Sequence, residues 1–133
     1  MILGVGADIA EVGRIRDSIA RYGDRFLNRI YTDAERSYAM RRANAAERFA
    51  ARFAAKEAGM KAIGTGWRRG VTWKDFEVVN QPSGRPTLRL SGTARDIADS
   101  MGVERISLSL THSSAIALAV VLLESGAATG GVS

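Results

Sequence analysis

At residues 48–58 the chain reads RFAARFAAKEA, and the prediction of the fold starts from this stretch. Phe49, Phe53 and Glu57 follow one another at i, i+4 spacing, so they form one row along a helix face. Two aromatic side chains in that row predict a buried face. Glu57 continues the row, and a buried carboxylate is costly unless a cation or hydrogen-bond donors meet it. The stretch predicts a buried helix whose carboxylate requires a positive partner.

A second stretch, GVGADI at residues 4–9, follows the start of the chain. Residues 2–7 predict a short apolar strand, and its glycines at 4 and 6 permit close approach of another backbone or of a ligand. Asp8 comes next as the first polar residue, and it calls for the same positive partner as Glu57. Two simpler interpretations stay open: Asp8 caps the following helix, or Glu57 pairs with Lys61 on a surface.

Composition predicts one domain, residues 1–124, followed by a flexible Gly-rich tail at 125–133. The chain has no cysteine and one histidine, which excludes disulfides, thiolate chemistry and a multi-histidine zinc site within one subunit. A metal would therefore be held by oxygen, and Mg²⁺ is the natural candidate. Lys and Arg number 19 against 14 Asp and Glu, so an acidic partner or substrate is expected.

The apolar stretches are too short for a membrane helix, and the first residues lack the pattern of a signal peptide. We therefore expect a cytoplasmic location and no membrane partner.

The remaining periodicity predicts an α+β fold, with helices packed on a mainly antiparallel sheet. A first helix is predicted from about residue 9 to a stop at Gly23, and residues 26–30 predict a second short helix or a packed turn. Another helix is predicted to start at a capping box at 32–35. Two more are predicted over 45–63 and over 94–101, the latter between Ser91 and Gly102. A glycine-rich loop is predicted at 64–66. Strands are predicted at 76–78 and 87–90, which form a hairpin, at 106–110, and over 115–123, with a strand break at Lys74-Asp75.

Several further side chains are candidates for binding. His112 lies in a predicted hydroxyl-rich turn, where it is either a solvated residue or a phosphate-binding one. Arg48, Arg52 and Lys56 form a basic row, which is either a solvated helix face or a surface that neutralises a polyphosphate. Arg14 and Arg21 project together from the first helix, opposite its apolar face.

Taken in order, these stretches resemble the holo-acyl-carrier-protein synthases, a family with the 4'-phosphopantetheinyl transferase fold. The resemblance rests on GVGADI with Val12 and Arg14, on RFAARFAAKEA, on Gly64-Thr65-Gly66, on Gly84-Arg85-Pro86 and on Ser109-Leu110-Thr111-His112. It spans roughly residues 1–124. It implies transfer of 4'-phosphopantetheine from coenzyme A to a serine of apo-acyl carrier protein, with release of adenosine 3',5'-bisphosphate.

The resemblance also implies roles for individual residues. Asp8 and Glu57 would hold Mg²⁺ against the pyrophosphate of coenzyme A, and Lys61 would approach that pyrophosphate. His112, with Gly84-Arg85-Pro86, would hold the nucleotide end. The proton of the carrier serine would pass to Glu57 or to a metal-bound water, and the sequence does not separate these two.

The resemblance further implies a homotrimer with active sites between subunits, in which Arg14 and Arg21 dock an acidic helix of the carrier. Fatty-acid and polyketide synthesis are both open as its pathway. The main alternative is a basic nucleic-acid-binding domain without catalysis, in which Arg14, Arg21, Arg48 and Arg52 contact phosphates. No aromatic residues alternate with these basic ones, so we expect no nucleic-acid partner. A structural trimer with a decayed site is a second alternative.

Overall fold

One long helix, Ala45–Ala62, lies at the centre of the computed structural model, which describes residues 1–66 and 68–126. Most of its side chains are buried, and alanine occupies six of those positions (Ala50, Ala51, Ala54, Ala55, Ala58 and Ala62). Small side chains let neighbouring elements approach closely, so the helix packs against strands on more than one face. The predicted buried helix is thus confirmed.

The other elements of the described residues surround this central helix. In chain order they are β1 (Ile2–Glu11), α1 (Val12–Tyr22), α2 (Asp24–Ile30), α3 (Asp33–Met40), the central helix α4 (Ala45–Ala62), a short 3₁₀ turn (Trp73–Asp75), β2 (Phe76–Asn80), β3 (Pro86–Leu90), α5 (Gly92–Met101), β4 (Val103–His112) and β5 (Ile116–Ser125). All the strand pairs are antiparallel, and the α+β class is confirmed.

The strands form two separate sheets rather than the single predicted one. One sheet has three strands in the order β1-β5-β4, and the other is the β2-β3 hairpin. In the larger sheet Ala119 of β5 lies between Asp8 of β1 and Leu110 of β4. The hairpin lies beside β4, where the Thr87 hydroxyl donates to the Ile106 carbonyl oxygen at 3.3 Å, but no ladder joins them.

Two glycines of β1 set how closely α4 lies to the larger sheet. A Cβ atom on Gly4 would overlap the carbonyl oxygen of Ala62, and one on Gly6 would overlap that of Ala58. Only glycine fits at these contacts, so the predicted close approach is confirmed, and the approaching backbone is that of α4.

The boundary between the first strand and helix differs from the prediction. β1 pairs with β5 as far as Glu11, and α1 therefore begins at Val12 rather than near Ile9. Asp8 lies inside the strand, and Glu11, the residue preceding α1, makes no side-chain capping bond. The interpretation of Asp8 as a helix cap is wrong, because strand pairing extends past it.

Other local predictions are mostly confirmed. Thr32 and Glu35 form a capping box, and Gly102 ends α5 in the left-handed conformation with φ of 86°. His112 is the last residue of β4 rather than part of a turn. β5 runs to Ser125, the first residue of the predicted tail, and residues 127–133 lie outside the described part of the chain. Within the described residues, no helix combines the length and apolarity that crossing a membrane requires.

Candidate active site

Asp8 and Glu57 meet where β1 packs against α4. The contact of Gly6 with Ala58 brings the two carboxylates together. The Asp8 side chain is 14% exposed, and its Oδ1 accepts a hydrogen bond from Lys61 Nζ at 2.8 Å. Lys61 Nζ also donates to the Ala7 carbonyl oxygen at 3.2 Å. The other oxygen of Asp8, Oδ2, is buried and has no hydrogen-bond partner within residues 1–66 and 68–126.

The negative charges of Asp8 and Glu57 repel each other, and this repulsion is unfavourable unless a further cation binds. Burial, together with the neighbouring Asp8 carboxylate, raises the pKa of Glu57 to about 7, and Lys61 opposes this shift. The bond to Asp8 raises the pKa of Lys61. Because Lys61 is engaged with Asp8, the interpretation of Glu57 as half of a simple surface pair with Lys61 is not supported.

The carboxylate pair fits a hard divalent cation. It offers oxygen ligands only, and the buried Oδ2 of Asp8 has no donor among the residues that the structure describes. No cluster of three or more His, Cys, Asp or Glu side chains suited to a metal occurs in the described part of the chain. A cation held by Asp8 and Glu57 would therefore keep positions for water or substrate oxygens, as Mg²⁺ usually does.

A second cluster lines a cavity of about 220 Å³ near the far end of α4, which we call the anion pocket. Its polar lining consists of Tyr38, Arg48, Arg52, Asn80 and His112, and Gly84 and Pro86 also line it. Of the residues predicted for the nucleotide end, Gly84, Pro86 and His112 thus come together. Arg85 lines a different cavity, of about 510 Å³, between the β2-β3 hairpin and β4.

The basic groups of the anion pocket are held by different partners. His112 Nδ1 lies 2.9 Å from Glu47 Oε1, and Arg48 Nε donates to Asn44 Oδ1 at 3.3 Å. Arg52 is only 5% exposed, and its Nε has no hydrogen-bond partner in the described structure. A buried guanidinium with unused donors favours an anion such as a phosphate.

Lys56 does not belong to this pocket. It is fully buried, and its Nζ forms an ion pair with Glu35 Oε1 at 2.7 Å and donates to the Phe76 carbonyl oxygen at 2.6 Å. Burial lowers the pKa of Lys56, although Glu35 opposes the shift. The predicted basic row is therefore divided, and only Arg48 and Arg52 remain available to a ligand.

Sequence reasoning missed three residues of the anion pocket region: Tyr38, Asn80 and Glu47. Tyr38 and Asn80 come from segments that no motif connected to His112. Glu47 precedes Arg48 in α4, but nothing in its spacing indicated a bond to a strand end 65 residues later.

The carboxylate pair and the anion pocket lie apart within one chain. Glu57 of the carboxylate pair and Arg52 of the anion pocket are five residues apart on α4, which corresponds to about 7.5 Å along the helix axis and about 140° around it, so their side chains leave different faces of the helix. β1, which carries Asp8, and β4, which carries His112, flank β5 on opposite sides. The predicted site residues therefore form two separate clusters.

Arg14 and Arg21 lie on the solvent-facing side of α1, as predicted. Both line a shallow depression of about 280 Å³ together with Asp17, Ser18 and Tyr22. The Arg14 side chain is 83% exposed, and its contact with Glu11 at 3.6 Å is a surface pair of little energetic weight. These guanidinium groups are free to meet an acidic partner.

Comparison with known proteins identifies the family. Residues 4–121 match the model of the 4'-phosphopantetheinyl transferase superfamily. The holo-[acyl-carrier-protein] synthase of Solibacter usitatus is 60% identical over 124 residues, which cover 93% of this chain and 99% of that protein.

Solved structures agree with this match. The holo-[acyl-carrier-protein] synthase of Neisseria meningitidis superposes with a TM-score of 0.84 at 32% identity, covering 93% of this chain and 99% of that one. The enzyme of Bacillus anthracis, in complex with CoA (3',5'-ADP), gives a TM-score of 0.77 at 39% identity and covers 95% of this chain and 99% of that one. The nucleic-acid-binding alternative finds no support in these comparisons. The chain belongs to the holo-acyl-carrier-protein synthases of the 4'-phosphopantetheinyl transferase superfamily.

Proposed function

We propose that this chain transfers 4'-phosphopantetheine from coenzyme A to a serine of an apo-acyl carrier protein, giving the holo-carrier and adenosine 3',5'-bisphosphate. The observation that carries the proposal is the pair of clusters at Asp8 and at Arg52, in a chain that covers nearly the full length of named holo-[acyl-carrier-protein] synthases. One cluster suits the diphosphate of coenzyme A, and the other suits a phosphate on its nucleotide.

We further propose Asp8 and Glu57 as the protein ligands of Mg²⁺. When bound there, the ion would neutralise charge on the diphosphate and on the leaving group. Lys61 Nζ bonds to Asp8 at 2.8 Å, and its side chain is half-exposed, which supports a role in binding phosphate oxygens directly. The second role predicted for Glu57, accepting the serine proton, stays a prediction.

Metal binding can be tested apart from catalysis. Isothermal titration with MgCl₂ alone should give one site in the wild-type chain and a large loss of affinity in Asp8→Asn. Equal affinities of the two proteins would remove Asp8 from the metal site.

The nucleotide end of coenzyme A is proposed to occupy the anion pocket. Arg48, Arg52 and His112 would bind its phosphate, and the turn at Gly84 and Pro86 would contact the nucleoside. The side chain of Arg85 lines the neighbouring cavity, so we expect its backbone rather than its guanidinium to contribute here.

The carrier is proposed to dock on α1. Acyl-carrier recognition by Arg14 and Arg21 requires an acidic surface on the partner, and the chain's formal charge of +5 favours such an encounter.

The working assembly is proposed to be a homotrimer in the cytoplasm. The outer face of β1 and β5 exposes Val5 (57%), Ile9 (60%) and Ile116 (46%), and an apolar sheet face of this kind suits contact with further copies of the chain. Because Glu57 and Arg52 leave different faces of α4, and Asp8 and His112 lie on opposite edge strands of the sheet, neighbouring subunits would complete one site from two halves.

A transfer assay tests the main proposal. The protein is incubated with coenzyme A, MgCl₂ and apo-acyl carrier protein, and mass spectrometry follows the carrier. One phosphopantetheine per carrier is expected, and none on a carrier whose acceptor serine is replaced by alanine. Absence of transfer to fatty-acid and polyketide carriers alike would overturn the proposal.

A further inference from the structure

Tyr38 makes the most unusual contact of the anion pocket. Two guanidinium groups lie over its ring, with the central carbon of Arg42 3.6 Å from the ring centroid and that of Arg52 4.1 Å from it. Arg42 is anchored in turn, because its Nη1 donates to the backbone carbonyl oxygen of Tyr38 at 2.7 Å. The Tyr38 ring therefore contacts both guanidinium groups, of which the inner, buried one is that of Arg52.

Among the described residues, few other contacts hold the guanidinium of Arg52 in place. Arg52 is 5% exposed, its Nε is unpartnered, and the ion pairs found in residues 1–66 and 68–126 do not include it. Burial lowers the pKa of Arg52, and the charges of Tyr38 and Glu35 oppose that shift only in part. A planar guanidinium stacked on an aromatic face keeps the N–H donors at its edge free for a ligand.

We propose that Tyr38 is a positioning residue, which stacks on Arg52 and fixes its guanidinium in the orientation that meets a phosphate in the anion pocket. This inference rests on the proposed function, because the ligand is the nucleotide end of coenzyme A. Tyr38 acts through Arg52 and through the face of its ring, so its hydroxyl is not essential.

Three variants test the role of the ring. Tyr38→Phe keeps the aromatic face, Tyr38→Leu removes it, and Met40→Leu is the matched control on an exposed site of the same helix. Steady-state kinetics give the KM and kcat for coenzyme A, and calorimetry gives the Kd of adenosine 3',5'-bisphosphate. Tyr38→Leu should raise KM and Kd by about ten-fold with kcat nearly unchanged, and the other two variants should match the wild-type chain.

A double-mutant cycle with Arg52→Gln tests whether Tyr38 influences ligand binding through Arg52. If Tyr38 acts through Arg52, then Tyr38→Leu should change Kd little once Arg52 is replaced. Equal effects in both backgrounds would mean that Tyr38 touches the ligand itself and would overturn the proposal. A ten-fold loss in Tyr38→Phe, or no loss in Tyr38→Leu, would overturn it as well.

Circular dichroism melts establish that each variant is folded, and Tyr38→Met replaces Tyr38→Leu if the latter melts below the assay temperature. Failure of the proposed function would give a different experimental result from failure of the Tyr38 proposal. A wild-type chain that binds the bisphosphate but transfers nothing would refute the transferase proposal, while the Kd values would still decide the role of Tyr38.

Discussion

Asp8 and Glu57 are two acidic side chains in contact at a partly buried position, and Lys61 is the cation that offsets them in the described part of the chain. The pKa of Glu57, about 7, records how unfavourable the second negative charge is there. Removing one of the charges should therefore relieve repulsion in the metal-free protein. The same change would remove a proposed ligand of the ion.

Asp8→Asn and Glu57→Gln should each lower kcat/KM of transfer by at least about 100-fold, because a bound cation supplies several kcal/mol of charge stabilisation. The free energy of unfolding in urea should stay level or rise slightly. Asp96→Asn, on an exposed site of α5, is the matched control and should change neither quantity. Wild-type rates in either folded variant would contradict the metal assignment.

Charge reversal on α1 separates carrier docking from coenzyme A binding. Arg14→Glu and Arg21→Glu should each raise the KM for the carrier by about ten-fold or more, since like charges placed across an interface are strongly unfavourable. The KM for coenzyme A should change little. Arg16→Glu makes the same charge change on the same helix outside the depression, and its smaller effect measures the general loss of attraction. Equal changes in both Michaelis constants would refute a separate docking surface.

Individual residues differ in how far sequence predicted their place. The resemblance paired Asp8 with Glu57 correctly, and the contact follows from glycines that were recognised as sites of close approach. Lys56 was placed with Arg52 because they lie one turn apart on a helix. Periodicity describes that helix face but carries no information about Glu35 and β2, which cover Lys56. Tyr38 reaches the anion pocket only through tertiary packing, for which no local pattern exists.

At the scale of elements, the contact between β1 and α4 determines the geometry of the carboxylate pair. The sequence predicted both elements, but it ended the strand at Ala7, because alternation and helical spacing are both compatible with the residues that follow. Pairing with β5 extends the strand as far as Glu11. Boundaries of this kind depend on a partner more than 100 residues away in the chain, which a local pattern cannot reveal.

Gly6→Ala tests this contact directly. Its Cβ would overlap the Ala58 carbonyl oxygen, so α4 must move away from β1. The free energy of unfolding should fall by about 3 kcal/mol, and transfer should fall further than stability alone explains, since Glu57 moves with α4. Gly13→Ala in α1, where no atom lies within 4 Å of the added Cβ, should be neutral or stabilising. Similar effects of the two changes would count against the packing argument.

Glu77 connects the β2-β3 hairpin to the start of α3. Its Oε2 accepts from the Thr32 hydroxyl at 2.7 Å, and its Oε1 accepts from Arg89 Nη2 at 2.7 Å. Burial alone would raise the pKa of Glu77, but these two bonds outweigh it and lower the pKa below its usual value. The ionised form is thus preferred in the folded state. Its contribution to stability is present above the unfolded pKa of about 4.3 and is lost as pH falls through the lower folded value.

The wild-type chain should therefore lose about 1 kcal/mol more stability than Glu77→Gln between about pH 6 and pH 3. Urea unfolding at a series of pH values measures the difference. Glu104→Gln, an exposed carboxylate on β4, serves as the control and should follow the wild-type curve. Parallel curves for wild type and Glu77→Gln would show that the two bonds do not favour the charged form.

At the scale of the whole molecule, the separation of the carboxylate pair from the anion pocket is the central fact. Within a single chain Asp8 lies on one edge strand of the sheet, β1, and His112 lies on the other, β4, with β5 between them. The apolar outer face of that sheet offers the surface on which copies would associate, with Val5 and Ile9 on β1 and Ile116 on β5. Sequence predicted the composite site only through the resemblance, because spacing along a chain cannot say which edges of different subunits meet.

Subunit complementation tests the composite site. Asp8→Asn damages the metal half, and the double variant Arg52→Gln/His112→Ala damages the nucleotide half, so homotrimers of either protein should transfer poorly. After mixing and reassembly, some sites combine the intact metal half of one protein with the intact nucleotide half of the other. In randomly mixed trimers roughly a quarter of the sites are intact, and transfer should recover to about that fraction of the wild-type rate.

If each site lay within one subunit, the mixture would only average its two inactive components. Native mass spectrometry resolves the small mass difference between the two variants and checks that mixed trimers have formed, so a failure to recover activity in verified mixed trimers would rule out sites built across the subunit boundary.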